Sequence, residues 1–148
     1  MIICSDYSTD YSIITGSEPS DYFGGKELRK LFLDIFSVSV TLTDVSGVIT
    51  DKFISVGKTQ AFLKSNGNRL IDKVKDDGYA LYAENGNLFI CGKTARGTLN
   101  GVYGFAKKYM GVRFLTETET YYPKRKKLSV TDKLRLVDNP SFAIRTFF

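Results

Sequence analysis

The chain has 148 residues, 43% of them hydrophobic, and a formal charge of +5, which suits one domain with a core of its own and is too short for two of ordinary size. Histidine is absent, so a Ser-His-Asp triad, a Cys-His pair, a histidine general base and the commonest zinc ligand are all excluded. No apolar run approaches the roughly 18 residues of a membrane helix, and the start lacks the basic-then-apolar order of a signal peptide, so the chain reads as soluble with its compartment left open.

Residues 1–10 are rich in Ser, Thr and Asp without periodicity and are predicted to be a poorly ordered start. Residues 11–15 read as a short strand stopped by Gly16. Ser17 or Ser20 then caps a helix with acids in its first turn, and Leu28, Leu31, Phe32, Ile35 and Phe36 carry its apolar stripe to about residue 36. Alternation of Val38, Val40 and Leu42 predicts a half-buried strand over 37–42, followed by a turn at 44–47. Residues 53–56 form another strand ending at Gly57. A brief helix around Ala61, Phe62 and Leu63 is closed by Gly67, and 68–77 gives a mixed signal with Leu70, Ile71 and Val74 as anchors.

The clearest signals lie between Gly78 and Gly111. Asn85-Gly86 separates two apolar runs, which is the strongest short-range mark of a hairpin with a type I′ turn. That turn pairs Ala83 with Leu88, Leu81 with Ile90 and Tyr82 with Phe89. It puts Leu81, Leu88 and Ile90 on one face and Tyr82, Phe89 and Cys91 on the other. Leu99, Val102, Tyr103, Ala106 and Met110 follow at helical spacing, with Thr94 as N-cap, Lys107 and Lys108 in the last turn and Gly111 at C′. Gly97, Gly101 and Gly104 each cost about 1 kcal/mol against alanine inside a helix. They share one side, so the expected return is close approach of the helix backbone to the sheet. Beyond it, 112–115 reads as an emerging strand, 117–127 as loop, and 127–130 and 134–137 as strand pieces.

Several motifs invite chemistry and fail on spacing or context. Gly-Lys-Thr occurs at 57–59 and 92–94, but a phosphate loop needs a glycine five positions earlier, where Lys52 and Asn87 stand. The helix glycines do not form a dinucleotide fingerprint, and the hairpin before them is antiparallel. Asp76-Asp77 and Glu117 with Glu119 lie in turn or loop contexts, with no pocket signal to raise an acid's pKa. Cys4 and Cys91 have neither disulfide nor metal spacing, and Cys91 reads as a small buried hydrophobe. Arg96 and Arg113, at the two junctions of the central helix, have two readings: a fork for a substrate carboxylate, or a structural tie that holds loops down, the latter being preferred. A pI near 9.1 raises nucleic acid, but outside the run Lys124, Arg125, Lys126, Lys127 the cations are interspersed with acids, which argues for a solvated surface.

Residues 92–116 carry G-K-T-A-R-G-T-L-N-G-V-Y-G-F-A-K-K-Y-M-G-V-R-F-L-T. This stretch resembles the N-terminal α+β domain that precedes the catalytic barrel in α-glucuronidase-like and β-hexosaminidase-like glycoside hydrolases. The family's usual Leu-Glu is Ala106-Lys107 here, and Gly24-Gly25 replaces the usual Ala-Ala in the first helix, either weakening its first turns or setting them hard against a neighbour. Pro140, Phe142 and Arg145 match a segment that leads into the first barrel strand, although Thr146 stands where a glycine often follows the arginine.

The resemblance implies an α+β fold like the second domain of β-hexosaminidases: a mixed, largely antiparallel sheet with helices at about 21–36 and 94–109 packed on one face. It divides the chain into a start at 1–10, one domain at 11–139, and 140–148 entering a barrel that carries the catalytic acids. The implied role is a non-catalytic accessory domain of a glycoside hydrolase, partnered by that barrel, with no catalytic, cofactor or metal residue of its own. Two rivals are a stand-alone module binding acidic carbohydrate or nucleic acid through 124–127, and an enzyme in its own right.

Overall fold

A hairpin anchors the architecture. In the computed structural model, which describes residues 1–43, 51–114 and 119–139, Asn85 and Gly86 take φ of 54° and 79°, both positive as a type I′ turn requires. The turn joins Tyr79–Glu84 to Asn87–Gly92, and the register pairs Ala83 with Leu88, Tyr82 with Phe89 and Leu81 with Ile90, as the sequence predicts.

In chain order the strands are β1 Ile2–Ser5, β2 Ser12–Thr15, β3 Thr41–Thr43, β4 Phe53–Val56, β5 Tyr79–Glu84, β6 Asn87–Gly92, β7 Arg113–Phe114, β8 Thr120–Tyr121, β9 Lys127–Ser129 and β10 Arg135–Asp138. The helices are α1 Pro19–Phe36, α2 Gln60–Lys64 and α3 Ala95–Phe105. Six strands form one sheet in the order β10-β5-β6-β4-β2-β3, flanked by the two-stranded ribbons β1-β9 and β7-β8. Four of the described pairings are antiparallel and three, joining β3, β2, β4 and β6, are parallel. The fold is thus α+β with a mixed sheet, and over all the described pairings, ribbons included, the antiparallel ones are the more numerous.

Side-chain alternation assigns the two faces. Leu81, Leu88 and Ile90 join Ile13, Ile54 and Val56 under Leu28, Phe32 and Ile35 of α1 and Val102 and Phe105 of α3. Phe89 and Cys91 point the other way, onto Phe53, Ile14 and Phe62 of α2, with Phe53 and Phe89 edge to face at 5.6 Å. Both faces of β4 are covered, so all four of its residues are buried, as expected of a parallel strand between layers.

Glycines set the depth of helix packing. A Cβ on Gly92 would strike the backbone of Gly97 and Thr98, and one on Gly97 would strike the carbonyl of Gly78. One on Gly101 would come within 2.9 Å of Ile90 and 3.1 Å of Tyr79. Their propensity cost therefore brings α3 flush onto the hairpin. Gly25 does the same for α1, where a Cβ would lie 2.6 Å from Thr15 and 2.9 Å from Leu42.

Five expectations need correcting. The first residues are not a loose start: β1 pairs with β9, Ile3 and Cys4 are buried, and the terminal ammonium donates to the Val130 carbonyl (2.6 Å) and pairs with Asp132 (2.8 Å). Their partner lies more than 120 residues away, and local composition carries no trace of a contact so distant. Neither Ser17 nor Ser20 caps α1; Glu18 is the N-cap without a side-chain bond, and Pro19 opens the helix, where its missing N–H costs nothing. Only Thr41–Thr43 of the predicted 37–42 strand joins the ladder, Val38 and Val40 being buried in extended chain before it. Gly67 does not end a helix but sits inside a 3-10 segment, Asn66–Lys73, where a Cβ would meet the ring of Tyr82. Within the expected loop at 117–127, Thr120–Tyr121 pairs with β7 as a ribbon apart from the main sheet. The turn at 44–47, Glu117 and residues 140–148 lie outside the described residues.

Candidate functional site

Strands β2, β4 and β6 run parallel, so their C-terminal ends meet at one edge of the sheet, where α1 and α3 begin. A cleft of about 390 Å³ opens there, lined by Ser17, Glu18, Asp21, Lys58, Lys93 and Thr94 among others. Both Gly-Lys-Thr sequences lie at this edge. Each leaves a strand and enters a helix, and each threonine is the N-cap: Thr59 Oγ1 accepts from the Phe62 N–H (3.0 Å) and Thr94 Oγ1 from the Gly97 N–H (3.2 Å). The recurrence marks a repeated strand-to-helix exit, and Lys58 Nζ donates to the Lys93 carbonyl (3.3 Å), tying the two exits together.

Asp21 is the buried acid of the cleft, 4% exposed. Gly16 and Gly57 make room for it, since a Cβ on either would run into its carboxyl, and Gly57 has φ +86°. Burial is the main cause that lifts its pKa to about 6, Glu18 adds to the rise, and the Glu18 backbone N–H and Lys58 oppose it. The contact with the Glu18 N–H is half of a capping box: an acid at the third helical position satisfies an end donor that no cap side chain reaches. A buried acid with a raised pKa is a pattern found at catalytic sites. Here the carboxyl packs on the Gly57 backbone, so packing and capping account for it. Sequence reasoning placed Asp21 in the first turn for its charge and missed its burial; the readable signal was a glycine directly after β2 and another after β4.

The other candidates fall apart in space. Asp76 and Asp77 form a turn whose carbonyls accept from Thr94 Oγ1 (2.5 Å) and Asn100 Nδ2 (3.0 Å), bracing the start of α3. Arg96 is mostly exposed and lies 3.9 Å from the Asp77 carboxylate, a loose tie of the loop-holding kind. Arg113 is exposed on β7 and has no ion pair among the described residues. Arg145 lies outside them. Cys4 and Cys91 are buried free thiols; burial raises both, Cys91 to about 12, which leaves neither as a thiolate at neutral pH. Among the described residues no group of three metal-ligating side chains comes together, and no helix is long and apolar enough to cross a membrane.

A second cleft, of about 460 Å³, lies at the other end of α3, beyond the wide turn Ala106–Met110. Lys107, Lys108, Arg113, Phe114 and Arg125 line it around Gly111. The basic run at 124–127 is thereby split. Arg125 turns into the cleft, while Lys124 Nζ donates to the Asp34 carbonyl (2.7 Å).

Comparison with known proteins bears on the whole chain. The family model described as "Glycosyl hydrolase family 67 N-terminus" matches residues 6–105. Among solved structures, the Streptomyces plicatus N-acetyl-β-hexosaminidase superposes with a TM-score of 0.58 at 12% identity, over 97% of this chain and 25% of that one. The β-N-acetylhexosaminidase of family GH20 from Streptomyces coelicolor A3(2) gives 0.56 at 14%, over 97% and 26%. A 4-O-methyl-α-glucuronidase of family GH115, with specificity for decorated arabinogalactans, gives 0.66 at 15%, over 95% and 18%. At such identities the likeness is one of fold, and the chain spans about a quarter or less of these enzymes. No curated protein matches in sequence.

Proposed function

Since the chain belongs to the family of glycosyl hydrolase family 67 N-terminal domains, we propose that it is a non-catalytic accessory domain of a larger glycoside hydrolase and that it supports a catalytic barrel following in the same chain. The observation that carries this reading is the superposition: nearly all of this chain corresponds to a minor part of much longer glycoside hydrolases.

The way the chain leaves the sheet suits such a support. β10 is an edge strand paired with β5, and Asn139 just after it is held on both sides of its amide. Its Oδ1 accepts from the Lys75 N–H (2.7 Å) and its Nδ2 donates to the Lys73 carbonyl (3.2 Å). A following domain would thus start from a fixed point on the 3-10 segment. Gly78 crowds the same amide, since a Cβ there would press on Asn139.

The test has two parts. The reading frame beyond Phe148 should encode a pattern of alternating strands and helices of about 250 residues or more, as a barrel requires. The 148-residue chain, purified, should turn over no aryl glycoside. A frame that ends at Phe148, or turnover by this chain alone, would overturn the proposal.

A further inference from the structure

The cleft at the C-terminal end of α3 holds four cations and, among its described lining residues, no acid. None of Lys107, Lys108, Arg113 and Arg125 is in an ion pair among the described residues. Cations next to helix C-terminal carbonyls are favourable, and this accounts for Lys107 and Lys108. It does not account for Arg113 and Arg125, which come from β7 and from the strand-free segment after β8 and share the cleft with the two lysines, a grouping of like charge that a bound anion would favour.

The arginines are placed by the fold. Gly111 takes φ +78°, and its bare Cα is covered by the Arg125 guanidinium, which any Cβ there would displace. The Arg125 N–H donates to the Ile35 carbonyl at the end of α1 (2.9 Å), fixing the backbone from which that guanidinium extends. Arg113 stands opposite Tyr121 on the ribbon. Next to it Phe114 is 47% exposed, yet its ring is held from behind, edge to face with Tyr103 at 5.7 Å. The Tyr103 hydroxyl in turn donates to Glu27 (3.1 Å).

We propose that this cleft binds a carboxylated saccharide, with the apolar face of a uronate ring on Phe114 and its carboxylate in the forks of Arg113 and Arg125. Guanidinium matches carboxylate through two parallel hydrogen bonds, and an anchored aromatic ring offers a flat apolar surface beside it. A cleft of this size is that of a small-ligand site and has room for roughly one or two sugar rings. Single-stranded nucleic acid would instead need a basic track over about four or more nucleotides with a succession of stacked aromatics. The strand-end cleft has no such bias, because Glu18 and Asp21 stand against Lys58 and Lys93. This inference is independent of the proposed accessory role, which could fail while the saccharide site stands.

The experiment is titration calorimetry of the 148-residue chain with hexagalacturonic acid. Its fully methyl-esterified form serves as the uncharged control and a single-stranded DNA of equal charge as the rival polyanion. The acid should bind and the ester should not. R113Q and R125Q should each weaken binding about tenfold, the usual loss for a charge-assisted pair, and F114A about fivefold. All three should keep the wild-type circular dichroism, since the side chains are exposed. K58Q with K93Q, at the other cleft, should change affinity less than twofold. The proposal is overturned if the acid does not bind, if the ester binds equally well, if F114A leaves binding unchanged, or if the DNA binds as tightly as the acid.

Discussion

The two ends of α3 are built on opposite principles. At its start, backbone meets backbone: Gly92, Gly97 and Gly78 touch without side chains between them, Thr94 caps, and the charges of the adjoining cleft are of both signs. At its finish the helix widens, Gly111 turns the chain, and a guanidinium covers the glycine in a cleft whose described lining carries charge of one sign. Glycine serves both ends, as absence of bulk at one and as freedom of φ at the other. The first end locks the fold, and the second leaves a surface with charge to spare.

Alanine at these glycines should expose that difference most sharply. In Gly97→Ala the new methyl meets the Gly78 carbonyl, with no flexible side chain to move aside. α3 would have to lift from the hairpin, and we expect a loss of about 3 kcal/mol or more, up to failure to fold. In Gly111→Ala the obstacle is the far end of Arg125, which can swing away, so the cost reduces to the left-handed backbone, about 1–2 kcal/mol. Urea melts of both variants give the comparison directly. If Gly111→Ala is the worse of the two, the start of α3 is not the locked end.

Asp21 offers the next largest effect, with a definite sign. The native state holds this proton up to about pH 6 and the unfolded chain only to 3.8. Between those values the native state binds more protons, so the contribution of Asp21 to stability falls as pH rises through that window. Asp21→Asn can still accept from the Glu18 N–H and has nothing to ionise. It should be more stable than the parent at pH 7.5, on the order of 2 kcal/mol, with the gain vanishing near pH 4. Thermal melts across that range test it; a variant destabilised at both pH values would mean that the charge of Asp21 itself holds the strand ends.

Legibility in the sequence followed the range of the interaction. The hairpin register, the cap of α3 and the glycine side of α3 rest on neighbours a few residues apart, and Asn85-Gly86, Thr94 and Gly97 each announce their part. The β1-β9 ribbon is as well packed as any of these, yet Ile3 and Cys4 need Leu128 and Val130 to be buried, and nothing local pairs them. Both clefts were hidden for the same reason. Lys58 and Lys93 meet because β4 and β6 are parallel neighbours, and Arg125 comes to line the same cleft as Lys107 only through a ribbon and the end of α1. The resemblance over 92–116 supplied the fold class, but the family pattern says nothing of an arginine at 125.

The smallest effect probes whether the locked end is dry. Thr15 closes β2 beneath α1, 1% exposed, and its Oγ1 is a buried polar atom without a hydrogen-bond partner among the described residues. Its methyl is wedged against Gly25, where a Cβ would come within 2.6 Å, so close packing holds the side chain with its hydroxyl unmatched. An unpaired buried hydroxyl costs about 1–3 kcal/mol, and replacing it by an apolar group of the same shape recovers part of that. Thr15→Val should therefore stabilise the chain by about 1 kcal/mol, seen as a higher urea midpoint at an unchanged m-value. A lower midpoint would show that the hydroxyl has a water partner. The strand ends beneath α1 would then be hydrated, and the closeness of glycine packing would not by itself keep that end of the molecule shut.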